Sequence, residues 1–256
     1  MLATIAESVR SKLNARSRIN WEQEIESLLK RRSKGVGFRQ VFSKGQENFI
    51  LEIKRTSPST RAARKSLDVK ATAECFQKCG AAAISVLTEG EYFGGRLEDL
   101  VDARRAVALP LLRKDFIVDK IQIAEAKAFG ADAVLLITAL LSDKELKEFL
   151  GHASSLGIDA LVEVHSELEL NRAIDAGATI VGVNNRDLQT MKIDLSAGAR
   201  LLKLVPDHCL RVAESGLKTR ADVLMMRDAG ADAFLIGTAV MQADDMPAAI
   251  GEVMRT

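Results

Sequence analysis

Several apolar segments of this 256-residue chain end abruptly on carboxylate or ammonium side chains. The clearest of them runs through Ile50 and Leu51 and ends on Glu52, Ile53 and Lys54. Residues two apart in an extended strand point the same way, so Glu52 and Lys54 share a face with Ile50. Charges of both signs on one face are unfavourable in a plain core strand. They are typical of a barrel strand whose carboxyl end opens into a reaction pocket.

The same pattern recurs at the ends of the other apolar segments. The charged or amide side chains found there are Glu52, Lys54, Glu89, Lys114, Glu163, His165, Asn184, Arg186 and Glu214. In barrels of alternating strands and helices, catalytic side chains come from the carboxyl ends of several strands. Four carboxylates and two lysines are therefore expected to converge on one cavity. The alternative is that these charges form ion pairs that only stabilise the rim of the barrel. It is less favoured because all six charged residues stand at matching strand ends.

Glycine and hydroxyl residues follow the last two predicted strands. Ser215 and Gly216 come after the seventh strand, and Gly237 and Thr238 come after the eighth. Loops at these two places often bind phosphate through backbone N–H groups, because glycine lets the backbone approach an anion closely. We expect Lys54, which reaches from the first strand, to complete such a phosphate site. Two ordinary glycine turns are the alternative.

The elements that must position these residues follow one repeated pattern. Apolar runs lie at 49–53, 82–88, 109–112, 132–138, 159–164, 179–183, 209–213 and 232–237. Helix-like stretches separate the runs, and several of them stop on glycine, as at Gly130 and Gly230. Eight strands that alternate with helices imply parallel pairing through right-handed crossovers. The pattern predicts an α/β fold, a (β/α)8 TIM barrel with extra N-terminal helices. An open doubly wound sheet is the alternative, and it is less favoured because no G-x-G-x-x-G motif follows an early strand.

No linker, low-complexity stretch or charge block divides the chain, so we expect residues 1–256 to form a single domain. Residues 49–256 are predicted to form the eight-stranded parallel barrel. Residues 1–48 are predicted to form a helical extension packed against the barrel, because their apolar residues recur at helical spacing.

The composition excludes several other classes of function. A net charge of +1 and 4% aromatic residues provide neither a strong positive field nor stacking platforms for nucleic acid. No apolar run reaches the roughly 18 residues of a membrane span. Cys75 and Cys79 lack CxxC spacing, and His152, His165 and His208 form no ligand set, so no metal site is expected. We predict a cytoplasmic protein. His165 follows the fifth predicted strand, and placement at the surface is favoured over placement at the rim of the pocket.

The segments around the strand ends resemble one known family. The matching segments, in order along nearly the whole chain, are Glu52-Ile53-Lys54-Arg55-Thr56-Ser57-Pro58-Ser59, Ser85-Val86-Leu87-Thr88-Glu89, Tyr92-Phe93-Gly94-Gly95, Leu112-Arg113-Lys114-Asp115-Phe116, Leu161-Val162-Glu163, Gly182-Val183-Asn184-Asn185-Arg186-Asp187-Leu188, Val212-Ala213-Glu214-Ser215-Gly216 and Leu235-Ile236-Gly237. In these segments the chain resembles the indole-3-glycerol phosphate synthase family of tryptophan biosynthesis. It departs from many members at Thr60-Arg61, where they have Lys-Gly.

The resemblance implies a carboxy-lyase that converts 1-(2-carboxyphenylamino)-1-deoxyribulose 5-phosphate to indole-3-glycerol phosphate, carbon dioxide and water, with no cofactor and no metal. By the same resemblance, Lys114 is the general acid at the ketone oxygen and Glu163 stabilises a cationic intermediate. Glu52 and Lys54 act as base and acid in the later loss of water. The sequence leaves the division of proton transfers among these four residues open.

The resemblance also implies which groups bind the substrate. The expected substrate-binding residues are Ser57, Glu89, Phe93, Phe116, Asn184, Arg186, Leu188 and Glu214, and the expected phosphate-binding residues are Lys54, Ser215, Gly216, Gly237 and Thr238. The expected partner is the phosphosugar–anthranilate substrate, and we expect a monomer that associates at most weakly with other tryptophan-pathway enzymes. The alternative functions are another TIM-barrel phosphosugar enzyme, such as a phosphoribosylanthranilate isomerase, and a non-catalytic binding relative.

Overall fold

The computed structural model describes residues 2–15, 18–31, 36–43, 45–56, 67–187 and 190–255. The strands in these ranges are β1 Asn48–Ile53, β2 Ala83–Leu87, β3 Leu111–Lys114, β4 Ala133–Ile137, β5 Asp159–Val164, β6 Ile180–Asn184, β7 Leu210–Glu214 and β8 Ala233–Ile236. Every predicted apolar run matches its strand to within two residues. The largest shift is at β3, which includes Lys114 instead of ending before it.

Helices fill the intervals between the strands. The α-helices in the described ranges are α1 Leu2–Ala15, α2 Arg18–Arg31, α3 Val69–Lys78, α4 Glu98–Ala106, α5 Ile121–Ala128, α6 Asp143–Leu156, α7 Glu167–Asp175, α8 Leu195–Leu202, α9 Arg220–Asp228, α10 Thr238–Met241 and α11 Met246–Met254. Short 3-10 turns lie at Arg39–Val41 and Thr138–Leu140. Within the described part of the chain, no helix has both the length and the apolarity of a membrane span.

The eight strands form a closed parallel barrel. Each strand pairs with the next along the chain, and β1 closes the barrel by pairing with β8. At this closure Ile50 is aligned with Leu235, and Leu51 with Ile236. Because all strands run in one direction, their carboxyl ends meet at one mouth. The predicted fold class is thereby confirmed.

Side chains alternate between the barrel interior and the helix layer. Ile50 belongs to the interior cluster, whereas Leu51 and Ile53 pack in the cluster between strands and helices. The predicted division of faces along β1 is therefore confirmed. Phe38 and Phe42, which precede β1, extend the interior cluster. The apolar core thus fills the barrel below the mouth, where the carboxyl ends of the strands carry charged side chains.

The helix ends fix the points at which the chain enters each strand. The predicted stop glycines all have positive φ and are Gly80, Gly130, Gly157, Gly177 and Gly230. Glycine adopts this left-handed conformation without Cβ strain, so it ends a helix at low cost. At the amino ends of α6 and α9, Ser142 and Thr219 form capping boxes with Glu145 and Asp222.

The two N-terminal helices pack on the outside of the barrel, and α2 lies against α5. Helix α1 buries Ile5 and Val9 in a cluster that includes Val118, just beyond β3. Lys12 Nζ also lies 2.8 Å from Glu91 Oε2 in the loop after β2. These contacts place α1 beside the mouth of the barrel.

Candidate active site

A cavity of about 390 Å³ opens at the carboxyl ends of the strands. The predicted site residues that line it are Glu52, Lys54, Phe93, Lys114, Phe116, Glu163, Asn184, Arg186, Glu214, Ser215, Gly216, Gly237 and Thr238. These residues come from β1, β3, β5, β6 and β7, from the loops after β1, β2, β3, β6, β7 and β8, and from the start of α10. Of the six charged groups expected to converge, all but Glu89 share this cavity.

Lys114 lies at the centre of an alternating row of charges. Its Nζ is 3.2 Å from Glu163 Oε2 and 3.3 Å from Glu214 Oε2, which project from β5 and β7. The side chains of the two glutamates are 2% and 1% exposed. On the far side of Glu163, His165 Nε2 lies 3.4 Å from Oε1. Imidazole, carboxylate, ammonium and carboxylate thus follow one another across the mouth.

The charges in this row set one another's protonation. Burial opposes the charge on Lys114, but Glu214, Glu163 and Glu52 outweigh burial and raise the pKa of Lys114. Burial raises the pKa of Glu214 to about 7, although Lys114 acts in the opposite direction. Burial also opposes the ionisation of Glu163, but Lys114 and His165 overcome it and lower the pKa of Glu163. Glu163 therefore stays ionised, while its neighbour Glu214 titrates near neutral pH.

The neighbours of Lys114 along the chain fix the end of β3. Arg113 is buried and donates to Asp115 at 3.0 Å and to Glu125 in α5 at 2.8 Å. Asp115 also accepts a hydrogen bond from the Thr88 hydroxyl at 2.5 Å. Because adjacent residues in a strand point to opposite faces, bonds that hold Arg113 against α5 direct Lys114 into the cavity.

A second, smaller charge pair lies where the barrel closes. Lys54 Nζ is 2.8 Å from Glu52 Oε1 and donates to the Thr238 hydroxyl at 2.9 Å. Burial opposes the ionisation of Glu52, but Lys54 and then Lys114 lower the pKa of Glu52. A Cβ atom at Gly237 would stand 2.4 Å from Glu52 Oε1, so only glycine fits beside this pair.

The loops after β7 and β8 face this second pair. Ser215 has φ 63°, a left-handed conformation that non-glycine residues rarely adopt, and Gly216 follows with φ 82°. Asn185 Nδ2 donates to the Ser215 carbonyl at 2.9 Å and holds the turn in place. Thr238 begins the short helix α10 beside Lys54. One end of the cavity therefore presents hydroxyls, glycine backbone and an ammonium, which is a suitable donor set for phosphate.

The wall beside Lys114 is apolar. The rings of Phe93 and Phe116 lie with their centroids 6.0 Å apart at an interplanar angle of 36°. Leu2 and Ile5 of α1 line the cavity as well. Such a wall suits a flat aromatic group. The cavity thus has an anion-binding end and an aromatic end, with buried charges between them.

Comparison with known proteins identifies the family. The sequence profile described as indole-3-glycerol phosphate synthase matches residues 2–253. The chain is 44% identical over 225 residues to the indole-3-glycerol phosphate synthase of Aquifex aeolicus, with 87% of each chain covered. It is 41% identical over 254 residues to that of Mycolicibacterium smegmatis, with 99% of this chain and 93% of the relative covered. The chain belongs to the indole-3-glycerol phosphate synthase family. The predicted carboxy-lyase class, acting in tryptophan biosynthesis, is thereby confirmed.

Solved structures of low sequence identity share the fold of this family member. A 3-hexulose-6-phosphate synthase has a TM-score of 0.64 and 18% identity, covering 81% of this chain and 98% of that one. A chain of the tryptophan synthase α2β2 complex from Pyrococcus furiosus has a TM-score of 0.63 and 17% identity, covering 83% and 99%. Both support the barrel architecture alone.

Other predicted residues of the family site lie elsewhere. Glu89 does not line the cavity, because its carboxylate accepts hydrogen bonds from three successive backbone N–H groups, ending at Phe93, at 2.8, 2.7 and 3.1 Å. It therefore holds the loop that carries Phe93. Ser57, the Thr60-Arg61 departure and Leu188 lie outside the described residues.

The prediction for His165 was wrong, because its side chain is only 14% exposed and its Nδ1 lies 3.2 Å from Glu169 Oε2. The available signal was its position two residues after Glu163, on the same face of the strand. Lys218 and Gln242 also line the cavity and were not predicted. They sit in the loop after β7 and just after α10, where no apolar alternation marks an inward side chain.

Proposed function

We propose that the chain closes the indole ring of 1-(2-carboxyphenylamino)-1-deoxyribulose 5-phosphate and releases carbon dioxide and water. The observation that carries the proposal is an ammonium, Lys114, held between two buried carboxylates in a cavity with one phosphate-type end and one aromatic end. These three parts correspond to the ketone, the phosphate and the anthranilate ring of the substrate. The family membership supports the same activity.

The two ends of the cavity orient the substrate. Its phosphate lies among Lys54, Ser215, Thr238 and the adjoining glycines, where hydroxyl, backbone and ammonium donors face one another. Its aromatic ring lies against Phe93 and Phe116. The deoxyribulose chain then spans the charges between the two ends. Because both ends are held, the reacting atoms are already oriented, and less entropy is lost on reaching the transition state.

Polar side chains on β6 complete the binding site. Asn184 shares a hydrogen bond with Glu163 and accepts one from the Arg186 backbone N–H at 3.0 Å. The Arg186 guanidinium lines the cavity, where burial lowers the pKa of Arg186 against an opposing effect of Glu52. We assign Asn184 to the sugar hydroxyls and Arg186 to an anionic group of the substrate.

Ring closure uses the Lys114 row. The ring carbon that bears the carboxylate forms a bond to the ketone carbon, and the ketone oxygen takes up the displaced electron pair. The ammonium of Lys114 donates a proton to that oxygen, which becomes a hydroxyl. The ring is then cationic, and ionised Glu163 stabilises it. Glu214 contacts Lys114 and titrates near neutral pH, so it can return the proton.

The remaining steps use the second pair. Carbon dioxide leaves, and its bonding electrons restore the aromatic ring. Glu52 removes a proton from the carbon next to nitrogen while Lys54 protonates the departing hydroxyl, so a C=C bond forms and water leaves. Because Lys54 Nζ and Glu52 Oε1 are 2.8 Å apart, the proton can return to Lys54 after each turnover.

The alternative functions fit the cavity less well. A phosphoribosylanthranilate isomerase would favour a carboxylate–thiol or two-carboxylate pair without a central lysine. Cys75, Cys79 and Cys209 are absent from the cavity lining. The paired carboxylates Glu163 and Glu214 both contact the central Lys114. A non-catalytic relative has no need of an ammonium buried among carboxylates, an arrangement whose desolvation is costly. Among the described residues, no group of three or more His, Cys, Asp or Glu side chains is arranged to bind a metal.

A turnover assay tests the proposal directly. The purified chain is mixed with the deoxyribulose substrate, and indole formation is followed by absorbance and fluorescence together with release of carbon dioxide. We expect saturable turnover with one carbon dioxide per indole. Phosphoribosylanthranilate, supplied in a parallel assay, should remain unchanged. Isomerisation of that compound without indole formation, or no turnover of either, would contradict the proposal.

We also propose that residues 1–256 act as one domain, with 1–48 as the helical extension and 49–256 as the barrel, in a cytoplasmic monomer that associates at most weakly with other tryptophan-pathway enzymes. The large apolar side chains exposed in the described ranges are Val36, Leu168, Ile193, Leu204 and Met225. Isolated exposed apolar residues need no partner surface. The free cysteines suit a reducing compartment. Light scattering after gel filtration should give the mass of one chain.

A further inference from the structure

His165 is an ionisable residue with a 14% exposed side chain that the proposed reaction does not use. It follows β5, and its side chain faces Glu163, two residues earlier on the same side of the strand. His165 Nε2 lies 3.4 Å from Glu163 Oε1, yet it is buried and has no hydrogen-bond partner. A buried polar atom left in this state is rare and calls for an explanation.

The start of α7 holds the imidazole ring in this position. Ser166 caps the helix by accepting a hydrogen bond from the Glu169 backbone N–H at 3.2 Å. Glu169 in turn reaches back, and its Oε2 accepts from the His165 backbone N–H at 2.8 Å and lies 3.2 Å from Nδ1. Glu169, at the start of α7, therefore also holds the imidazole ring in place.

The contacts of the ring indicate its charge. Nδ1 faces Glu169 and Nε2 faces Glu163, and ionised carboxylates accept protons without donating any. Only the imidazolium form supplies a proton on both nitrogens. Burial lowers the pKa of His165, but Glu169 on α7, Glu163 on β5 and Glu214 on β7 outweigh burial and raise it.

The consequence falls on Glu163. Its Oε2 faces the Lys114 ammonium at 3.2 Å, and its Oε1 faces the His165 imidazolium. A different cation thus faces each carboxylate oxygen, and the two electrostatic attractions favour one orientation of the carboxylate and its ionised form.

We infer that His165 is a positioning residue: clamped by Glu169, its imidazolium fixes the orientation and the ionised state of Glu163 during ring closure. The inference rests on the proposed function, because the role of Glu163 does. It adds His165 and Glu169 to the residues on which the reaction depends.

The first test measures the charge of the ring without any substrate. The ring C–H signals of the three histidines are followed by NMR against pH in the whole chain, and His165→Gln identifies the signal of His165. We expect the pKa of His165 to lie above the ordinary 6.5 and to fall by about one unit or more in Glu169→Gln. A value at or below the ordinary one in the wild-type chain would overturn the inference.

The second test measures kcat against pH for the wild type, His165→Gln and His165→Asn. Glutamine keeps a neutral donor near Nε2, and asparagine keeps one near Nδ1. Loss of the cation raises the pKa of Glu163, so we expect the acid limb of kcat to move up by about one to three pH units. Near neutral pH, kcat should also fall, because Glu163 loses the contact that orients it, and glutamine should not restore it.

A matched control separates this effect from helix capping. Glu145→Gln removes the equivalent carboxylate from the capping box of α6, and we expect it to lower the melting temperature about as much as Glu169→Gln while leaving the pH profile unchanged. A wild-type pH profile in a folded, active His165→Gln or Glu169→Gln chain would overturn the inference alone. A wild-type chain without turnover would instead overturn the proposed function.

Discussion

The two buried lysines at the mouth of the barrel differ in their surroundings. Lys114 contacts two carboxylates, Glu163 and Glu214, and its charge is compensated from both sides. Lys54 contacts one carboxylate, Glu52, and a hydroxyl on the opposite side of the barrel closure. The first group, Lys114 with its contacts, therefore has more carboxylates than ammonium groups. The second group, Lys54 with its contacts, has one of each and borders the glycine turns.

This difference suits the two lysines to different roles, proton donation for Lys114 and anion binding for Lys54. Carboxylates that enclose an ammonium repel a phosphate, and they keep the proton on the ammonium until a stronger base, such as an alkoxide, appears beside it. An ammonium with one carboxylate and one hydroxyl can still attract an anion. Fold position alone does not assign these roles, since both lysines project from the carboxyl ends of strands.

The largest expected effect comes from Lys114→Ala, which removes the proton donor from the first group. We expect kcat to fall by about 10²–10⁴-fold, as for the loss of a general acid. Single-turnover kinetics on a chain with a normal melting transition measure this effect. Lys120→Ala is the matched control, because Lys120 is an exposed lysine 3.6 Å from Glu148. Near-normal turnover in Lys114→Ala would remove the distinction between the two lysines.

A smaller effect is expected for Lys54→Met, which removes a cation from the phosphate end. Hydrogen bonds to charged groups are worth about 1.5–3 kcal/mol, so kcat/KM should fall roughly tenfold to a hundredfold. The variant should also have a lower kcat, because Lys54 protonates the departing hydroxyl after carbon dioxide has left. Inorganic phosphate should inhibit the wild type competitively and the variant much less. Lys70→Met, at an exposed lysine 3.5 Å from Asp102, should behave as the wild type. A lower kcat with unchanged phosphate inhibition would argue against the anion-binding role.

The excess acid of the first group predicts a dependence of stability on pH. Burial raises the pKa of Glu214 from 4.5 to about 7, so the folded chain binds a proton that the unfolded chain releases between these values. Stability from this group is therefore present below pH 4.5 and lost as pH rises through about 7. Relative to Glu214→Gln, the wild-type free energy of unfolding should fall by at most about 2 kcal/mol from pH 5.5 to 7 in urea titrations. A constant difference would show that Glu214 is ionised throughout.

The smallest expected effect is that of Thr238→Val, which removes one neutral hydroxyl beside Lys54. A neutral hydrogen bond is worth about 0.5–1.5 kcal/mol, so kcat/KM should fall about twofold to tenfold, mainly through KM. Thr72→Val removes a hydroxyl that donates to the Asp68 carbonyl at the start of α3, and it should leave KM unchanged. An equal change in the two variants would deny Thr238 a specific role.

Much of the site followed from sequence because one rule positions it. Period-two alternation assigned Glu52 and Lys54 to the interior face, and parallel pairing brought the ends of distant strands together. The same rule brought Lys114 beside Glu163. These residues lie in strands, or directly after one in the case of Lys54, and the apolar core fixes the direction of the strands.

The remaining features depend on contacts that no periodic pattern records. Leu2 and Ile5 reach the cavity because α1 packs beside the mouth, and a helix outside the repeated unit has no fixed place. Glu89 follows β2, but its carboxylate accepts hydrogen bonds from three backbone N–H groups of its own loop. These local bonds direct the side chain away from the cavity. The His165 ring faces Glu163 because Glu169 reaches back from the next helix and contacts Nδ1.

The closure of β1 against β8 has a consequence for the newly made chain. Lys54 and Thr238 are 184 residues apart in sequence, so their bond forms only after the last strand has been synthesised and inserted. A chain that ends before Thr238 cannot form this contact at the proposed phosphate end of the cavity. Under the proposed function, substrate binding stabilises only those copies in which this closure has formed, because a ligand that binds the folded form favours it over the unfolded one.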